Sequence, residues 1–299
     1  MSNTKLRSAK FSINELIKKS RVHSYASKAD MRHMLFRCIK DLHELGYKVG
    51  HVKGLQAKHV YVLVEHWKSQ GKNPATIKNY MSKLRNTASL LNKSKLIKPD
   101  NAAYNIDKRS YSSTINKAIH HIDLSKCTDP HIRLSLEGQA VFGLRREESM
   151  KFTHSLAHQG NLLHIMPSWT KGGIGRSLEI TTDAQRQWLD KVTQLVPPGE
   201  SLIPRDRSYR QHLSQYQAQT KLMGVCKLHG LRHAYAQRRY QELTRLYDPS
   251  GKGFVCPIDG GKQYKAMTDE EKMIDRCARL EISRDLGHSR VNIVRIYIG

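Results

Sequence analysis

His229-Gly230-Leu231-Arg232-His233, in the run LHGLRHAYAQRRYQEL (228–243), opens a stretch of helical period that reaches about residue 246. His229 and Arg232 are three apart, so on a helix both project to one side. An imidazole and a guanidinium on one face suit a polyanion, since the first can move protons and the second can stabilise negative charge. By itself an H-x-x-R word is a weak signal, so the surrounding chain has to be read with it.

On the N-terminal side lies Gly143-Leu144-Arg145-Arg146-Glu147-Glu148, which places an arginine where a helix breaks. Glu148, three residues on, could orient Arg145, and a guanidinium held by a carboxylate is a good bidentate phosphate ligand. Between the two words, Lys171 sits in the Gly-rich turn TKGGIG (170–175), from which a lysine could donate a proton to a leaving oxygen. On the C-terminal side, Leu286-Gly287-His288 is followed nine residues later by Tyr297. A phenol is a poor nucleophile at neutral pH and needs a base or strong electrostatic help. Each piece has a plainer reading alone: a surface ion pair for Arg145 and Glu148, an exposed turn lysine for Lys171, and a core or surface tyrosine for Tyr297.

Apolar periodicity frames these words. Helices are expected over 27–45, 55–70 and 73–91, the last with Asn73 as N-cap and Pro74 at the first helical position. A helix from Asp129 to Phe142 precedes two short strands, 161–166 and 176–181. Further helices are expected at 183–196, 208–223, 230–246, 268–286 and 290–298, with Thr268 and Glu271 as a capping box and 247–267 as a loop. The expected architecture is mostly α with a small antiparallel β-sheet. Residues 1–108 form a helical domain with a basic N-terminal arm, 109–123 a linker, and 124–299 an α+β domain.

Lys and Arg total 51 against 26 Asp and Glu, a formal net charge of +25, and the first 108 residues hold 22 of those bases but only 7 of the acids. That excess argues against a near-neutral metabolic enzyme and points to a polyanion. No run approaches the roughly 18 apolar residues of a membrane span, and the basic residues are not gathered on one amphipathic segment. Nucleic acid is therefore the expected partner. The five cysteines, Cys38, Cys127, Cys226, Cys256 and Cys277, are scattered without a C-x-x-C pair, so no zinc site or disulfide framework is expected and a reducing cytoplasm is.

Taken in order, G-L-R-x-x-E, a turn lysine, H-x-L-R-H, and L-G-H with a tyrosine nine residues on resemble the tyrosine recombinase (phage integrase) family. NPATIKNYMSKLRN (73–86) is similar to a helix of the SAM-like DNA-binding domain that precedes such catalytic domains. The resemblance implies a SAM-like bundle followed by an α+β tyrosine-recombinase catalytic domain. It assigns the six functional positions to Arg145, Lys171, His229, Arg232, His288 and Tyr297, with Glu148 supporting Arg145. It implies transesterification of double-stranded DNA with no metal and no cofactor, through a 3′-phosphotyrosyl bond formed by Tyr297. Integration or excision of a mobile element in the bacterial cytoplasm, at the nucleoid, follows from it. So do a homotetramer on DNA and accessory DNA-bending or excision factors.

Two features depart from the family pattern. Arg232 and His288 are 56 residues apart, longer than usual, with the excess near 244–275. Only Ile298 and Gly299 follow Tyr297, so the tail contact that many relatives make with a neighbouring subunit is expected to be replaced or absent. Alternatives on the same fold are type IB topoisomerase-like relaxation and a non-catalytic DNA-binding regulator. A structural RNA-binding protein would explain the charge but not the ordered motifs. The helices at 73–91 and 208–223 are candidates for reading bases.

Overall fold

The computed structural model describes residues 2–20, 24–108 and 115–299. The chain divides into two compact units, Met1–Ser110 and Tyr111–Gly299. Residues 109–114, the first part of the expected linker, lie outside the described residues.

Among the described residues the first unit packs four α-helices: α1 (Ser2–Lys19), α2 (Tyr25–Glu44), α3 (Ala57–Ser69) and α4 (Pro74–Leu90). The segment expected as a basic arm is instead α1. Ala9, Ile13 and Ile17 recur every four residues, so one face of this stretch is apolar and is buried against α2. Asn73 caps α4 as its sequence suggests, its side chain accepting from the Ala75 N–H at 2.8 Å. Trp67 sits at the centre with Leu35, Leu42, Leu63 and Met81, and its indole N–H donates to Asp41 at 2.9 Å. The buried indole thus keeps its hydrogen bond.

The second unit starts with α5 (Pro130–Phe142), capped by the Asp129 carboxylate, then the short helices α6 (Arg146–Met150) and α7 (His154–Ala157). Strands β1 (His158–Gln159), β2 (Leu162–Ile165) and β3 (Arg176–Glu179) form one antiparallel sheet in the order β1-β2-β3. Leu163 pairs with Leu178, and both bury one face of the sheet against Trp169 and Trp188. Helices α8 (Asp183–Leu195), α9 (Tyr209–Leu222), α10 (His229–Arg245), α11 (Asp269–Asp285) and α12 (Arg295–Ile298) complete it. Thr268 and Glu271 form the expected capping box on α11. The sheet core is therefore the expected pair of strands plus the two-residue β1, too short to register as a sequence period.

Helix α5 is covered by α6, α8 and α10, while α10 also carries α11 and α12. Gly138 is required where α5 meets α8, because a Cβ there would lie 2.5 Å from the Trp188 ring. Residues on the C-terminal side of the expected linker are docked: Ile119 donates its N–H to the Gly230 carbonyl at 3.0 Å, and Ile122 packs near Leu136 and Leu231. Among the described residues no helix is long and apolar enough to cross a membrane.

Candidate active site

The break after α5 sets the first group in place. Gly143 adopts φ 61°, and a Cβ there would lie 2.4 Å from the Tyr235 ring, so the turn demands glycine. The chain then places Arg145 at the N-cap of α6. Glu148 accepts from the Arg145 backbone N–H at 2.8 Å and from its Nη1 at 2.6 Å. The same carboxylate accepts from Arg176 Nη1 at 3.0 Å and Nη2 at 2.7 Å. Arg176 also donates through Nε to the Asp285 carbonyl at 2.6 Å, tying β3 to the end of α11.

Glu148 is only 1% exposed. Burial alone would push its carboxyl up, but the Arg176 hydrogen bonds and charge, with Arg232 and the Arg145 N–H, hold it down at about 2. One buried carboxylate therefore fixes two guanidiniums.

Helix α10 supplies the second group. Arg232, 1% exposed, donates through Nη1 to the Gly143 carbonyl at 2.5 Å and through Nη2 to the Leu286 carbonyl. Arg145 Nη2 donates to that same Leu286 oxygen at 3.1 Å. Burial first, and the Arg145 charge next, bring Arg232 down to about 10, which leaves it charged at neutral pH. Its Nε is buried with no partner among the described residues, and so is Nε2 of His288.

Tyr297 lies on α12 and is 4% exposed. Its hydroxyl is 3.3 Å from His229 Nε2 at the start of α10. Its ring centroid lies 4.6 Å from that of His233 and 5.6 Å from that of His288. Burial, then the charges of Arg232 and Arg145, lower the pKa of His229, so its imidazole is neutral at pH 7. Burial and the same arginines, joined by Arg176, take His288 to about 4. Burial and then His229 take His233 to about 4. The site combines permanent cations with neutral imidazoles around a phenol, which suits a phosphate anion, a proton acceptor and a nucleophile.

Five of the six expected positions, Arg145, His229, Arg232, His288 and Tyr297, are thus drawn together with Glu148. Lys171 is not joined to them by a hydrogen bond or ion pair among the described residues; it stands exposed on the turn between β2 and β3. Three further residues shape the site without having stood out in the sequence. Arg176 lies 28 residues from Glu148, and no local word links them. His233 belongs to the quoted motif, but only packing sets its ring beside Tyr297. Gln237 Nε2 donates to the Tyr297 carbonyl at 3.1 Å. Among the described residues no group of three or more His, Cys, Asp or Glu is arranged to hold a metal ion. All five cysteines are free thiols.

Two family models match the chain. "Phage integrase, N-terminal" covers residues 10–97 and "Integrase" covers residues 105–238. No curated protein matches the chain by sequence. Among solved structures, the XerH site-specific recombinase bound to palindromic difH substrate, in a post-cleavage complex, aligns with a TM-score of 0.52 at 16% identity. The alignment covers 97% of this chain and 81% of that one. The Tn1549 transposon integrase in complex with circular intermediate DNA aligns with a TM-score of 0.50 at 11% identity, over 98% of this chain and 95% of that one. These similarities concern the fold, whereas the side-chain geometry above belongs to this chain.

Proposed function

The chain belongs to the tyrosine recombinase, or phage integrase, family, and from that premise we propose a site-specific DNA recombinase that cuts and rejoins strands through Tyr297. The observation that carries the assignment is the Tyr297 hydroxyl 3.3 Å from a neutral His229 Nε2, beside two guanidiniums gathered on the Leu286 carbonyl.

In this reading the scissile phosphate binds against Arg145, Arg232 and His288, whose partnerless Nε2 in its protonated tautomer donates to a phosphate oxygen. His229 takes the phenolic proton as Tyr297 Oη attacks phosphorus. The bond from phosphorus to the 5′ oxygen breaks, Lys171 protonates that oxygen, and the phosphate remains on Tyr297 as a 3′-phosphotyrosyl ester. Attack by a second 5′-hydroxyl runs the same steps backward and joins new partners, so the phosphodiester energy is conserved in the covalent bond.

Charge supports this use of the pocket. Arg145, Arg176 and Arg232 against Glu148 leave two net positive charges, matching the two negative charges that build on the phosphorane at the transition state. Arg176 serves as a positioning residue, holding Glu148 so that Arg145 is fixed before DNA arrives.

The biological setting we propose is integration or excision of a mobile element at the bacterial nucleoid. A homotetramer on two DNA sites would carry it out, with accessory DNA-bending or excision factors where the sites require them. The test is capture of a covalent adduct on a nicked suicide duplex carrying candidate attachment sequences. Wild type should form it and Tyr297→Phe should not. An adduct with Tyr297→Phe would move the nucleophile to another residue.

A further inference from the structure

The long stretch between α10 and α11 folds back onto the helix that carries Tyr297. Phe254 donates its N–H to Thr244 Oγ1 at 2.7 Å, which turns the chain back along α10. Gly261 closes the next turn, donating its N–H to the Cys256 carbonyl at 3.0 Å. A Cβ at Gly261 would lie 1.8 Å from the Val255 carbonyl, so only glycine permits this closure. The turn presents Cys256, 4% exposed, together with Phe254 and Ile258, to the apolar cluster that contains Tyr297 and Ile298. Gly299 passes so near that a Cβ on it would meet the Ile258 nitrogen at 2.7 Å.

A polar relay runs beside this packing. Asp259, on the same turn, accepts from Asn116 Nδ2 at 3.0 Å. Asn116 Oδ1 accepts from Gln237 Nε2 at 2.8 Å and from the Ala118 N–H at 3.0 Å. Gln237 Nε2 spends its other proton on the Tyr297 carbonyl at 3.1 Å. The orientation of the Asn116 amide is set by these partners. Flipped, its NH2 would face two donors and its oxygen a carboxylate.

We propose that the 247–267 segment is a built-in brace for the nucleophile, with Gln237, Asn116 and Asp259 as positioning residues that hold the α12 backbone at the height Tyr297 needs for in-line attack. The inference rests on the reading of Tyr297 as nucleophile. Among the described residues no hydrogen bond joins the relay to Arg145, Arg232 or His288. The relay sets the position of the peptide unit that bears the phenol, and a misplacement of about 1 Å can cost a catalyst as much as 10²-fold. The brace comes from the same chain, so it is in place before any partner subunit binds.

The test is a donor–acceptor swap. Asn116→Asp places two carboxylates face to face. Adding Asp259→Asn restores a donor opposite an acceptor, while the carboxylate introduced at position 116 still accepts from Gln237. On a suicide duplex, N116D should form adduct about fivefold more slowly, the size expected for a screened like-charge contact, with DNA affinity unchanged. The double variant should recover the wild-type rate. Hydrogen exchange of residues 291–299 in the free protein should speed up in N116D and return to normal in the double variant. Unchanged exchange and adduct rate in N116D, or slowing that D259N does not reverse, would overturn the brace. Exchange that responds as expected in a protein whose wild type forms no adduct would support the brace and refute the nucleophile assignment instead.

Discussion

Arg145 and Arg232 donate to one acceptor, the carbonyl of Leu286, although one stands at the start of α6 and the other on α10. Two unit charges about 4 Å apart repel by about 4 kcal/mol at an effective dielectric near 20. They are tolerated together because Glu148 lies against Arg145 and the Leu286 oxygen binds both. In the proposed reading, a phosphate bound between the two guanidiniums relieves the same repulsion. Arg232→Ala should lower the rate of adduct formation by about 10²–10³-fold and leave affinity for duplex DNA nearly intact, as read by single-turnover cleavage beside a binding titration. Full cleavage by the variant would remove Arg232 from the phosphate.

Glu148→Gln should destabilise the fold, because it breaks a buried pair and leaves Arg176 and Arg145 without their anion; such losses run to about 3–5 kcal/mol. The pH dependence has a definite sign. Glu148 is lowered from 4.5 to about 2, so its contribution is complete above pH 4.5 and disappears as pH falls toward about 2. Urea melts of wild type and E148Q should therefore converge across that acid window.

Proton removal by His229 predicts an acid limb in the rate of adduct formation. The imidazole is held below its ordinary 6.5 by burial and then by Arg232 and Arg145, so activity should be full at pH 7 and fall as pH drops below 6.5. His229→Asn should be slow and should lack that limb. A limb that persists unchanged would assign the proton to another group.

Lys171 stands at a hairpin tip, exposed, and its proposed task is needed only as the 5′ oxygen departs. Lys171→Ala should slow cleavage of an ordinary duplex. It should act normally on one whose leaving oxygen is replaced by sulfur, since a thiol of pKa about 8.5 departs without being protonated. Equal impairment on both substrates would deny Lys171 the role of acid.

Binding of duplex DNA should weaken steeply with salt. Each neutralised phosphate contributes about −0.9 to the slope of log K against log salt, and the first 108 residues alone carry 22 Lys and Arg. A flat response in an electrophoretic or fluorescence titration would contradict backbone gripping by that unit.

The helical layout was legible because apolar side chains recur at helical spacing, and caps such as Asn73-Pro74 and Thr268 with Glu271 announce helix starts. The start of the chain misled. Its basic residues suggested an arm, yet Ala9, Ile13 and Ile17 make an apolar stripe narrow enough to be hidden among lysines. Arg176 carried no signal either, because its partner Glu148 is reached only when β3 is laid beside the end of α11.

Read alone, each word had a plainer meaning; it was their order along the chain, through its resemblance to a family pattern, that implied phosphate chemistry at Arg145, His229, Arg232, His288 and Tyr297. Tertiary packing decided everything that depends on distance between words. It set the shared Leu286 carbonyl, the capture of Arg176 by Glu148, the placing of the His233 ring against Tyr297, and the return of the 247–267 segment to α12. The reason is physical: periodicity and capping are short-range and are written in neighbouring residues, whereas a buried charge finds its partner only where the whole core has closed around it.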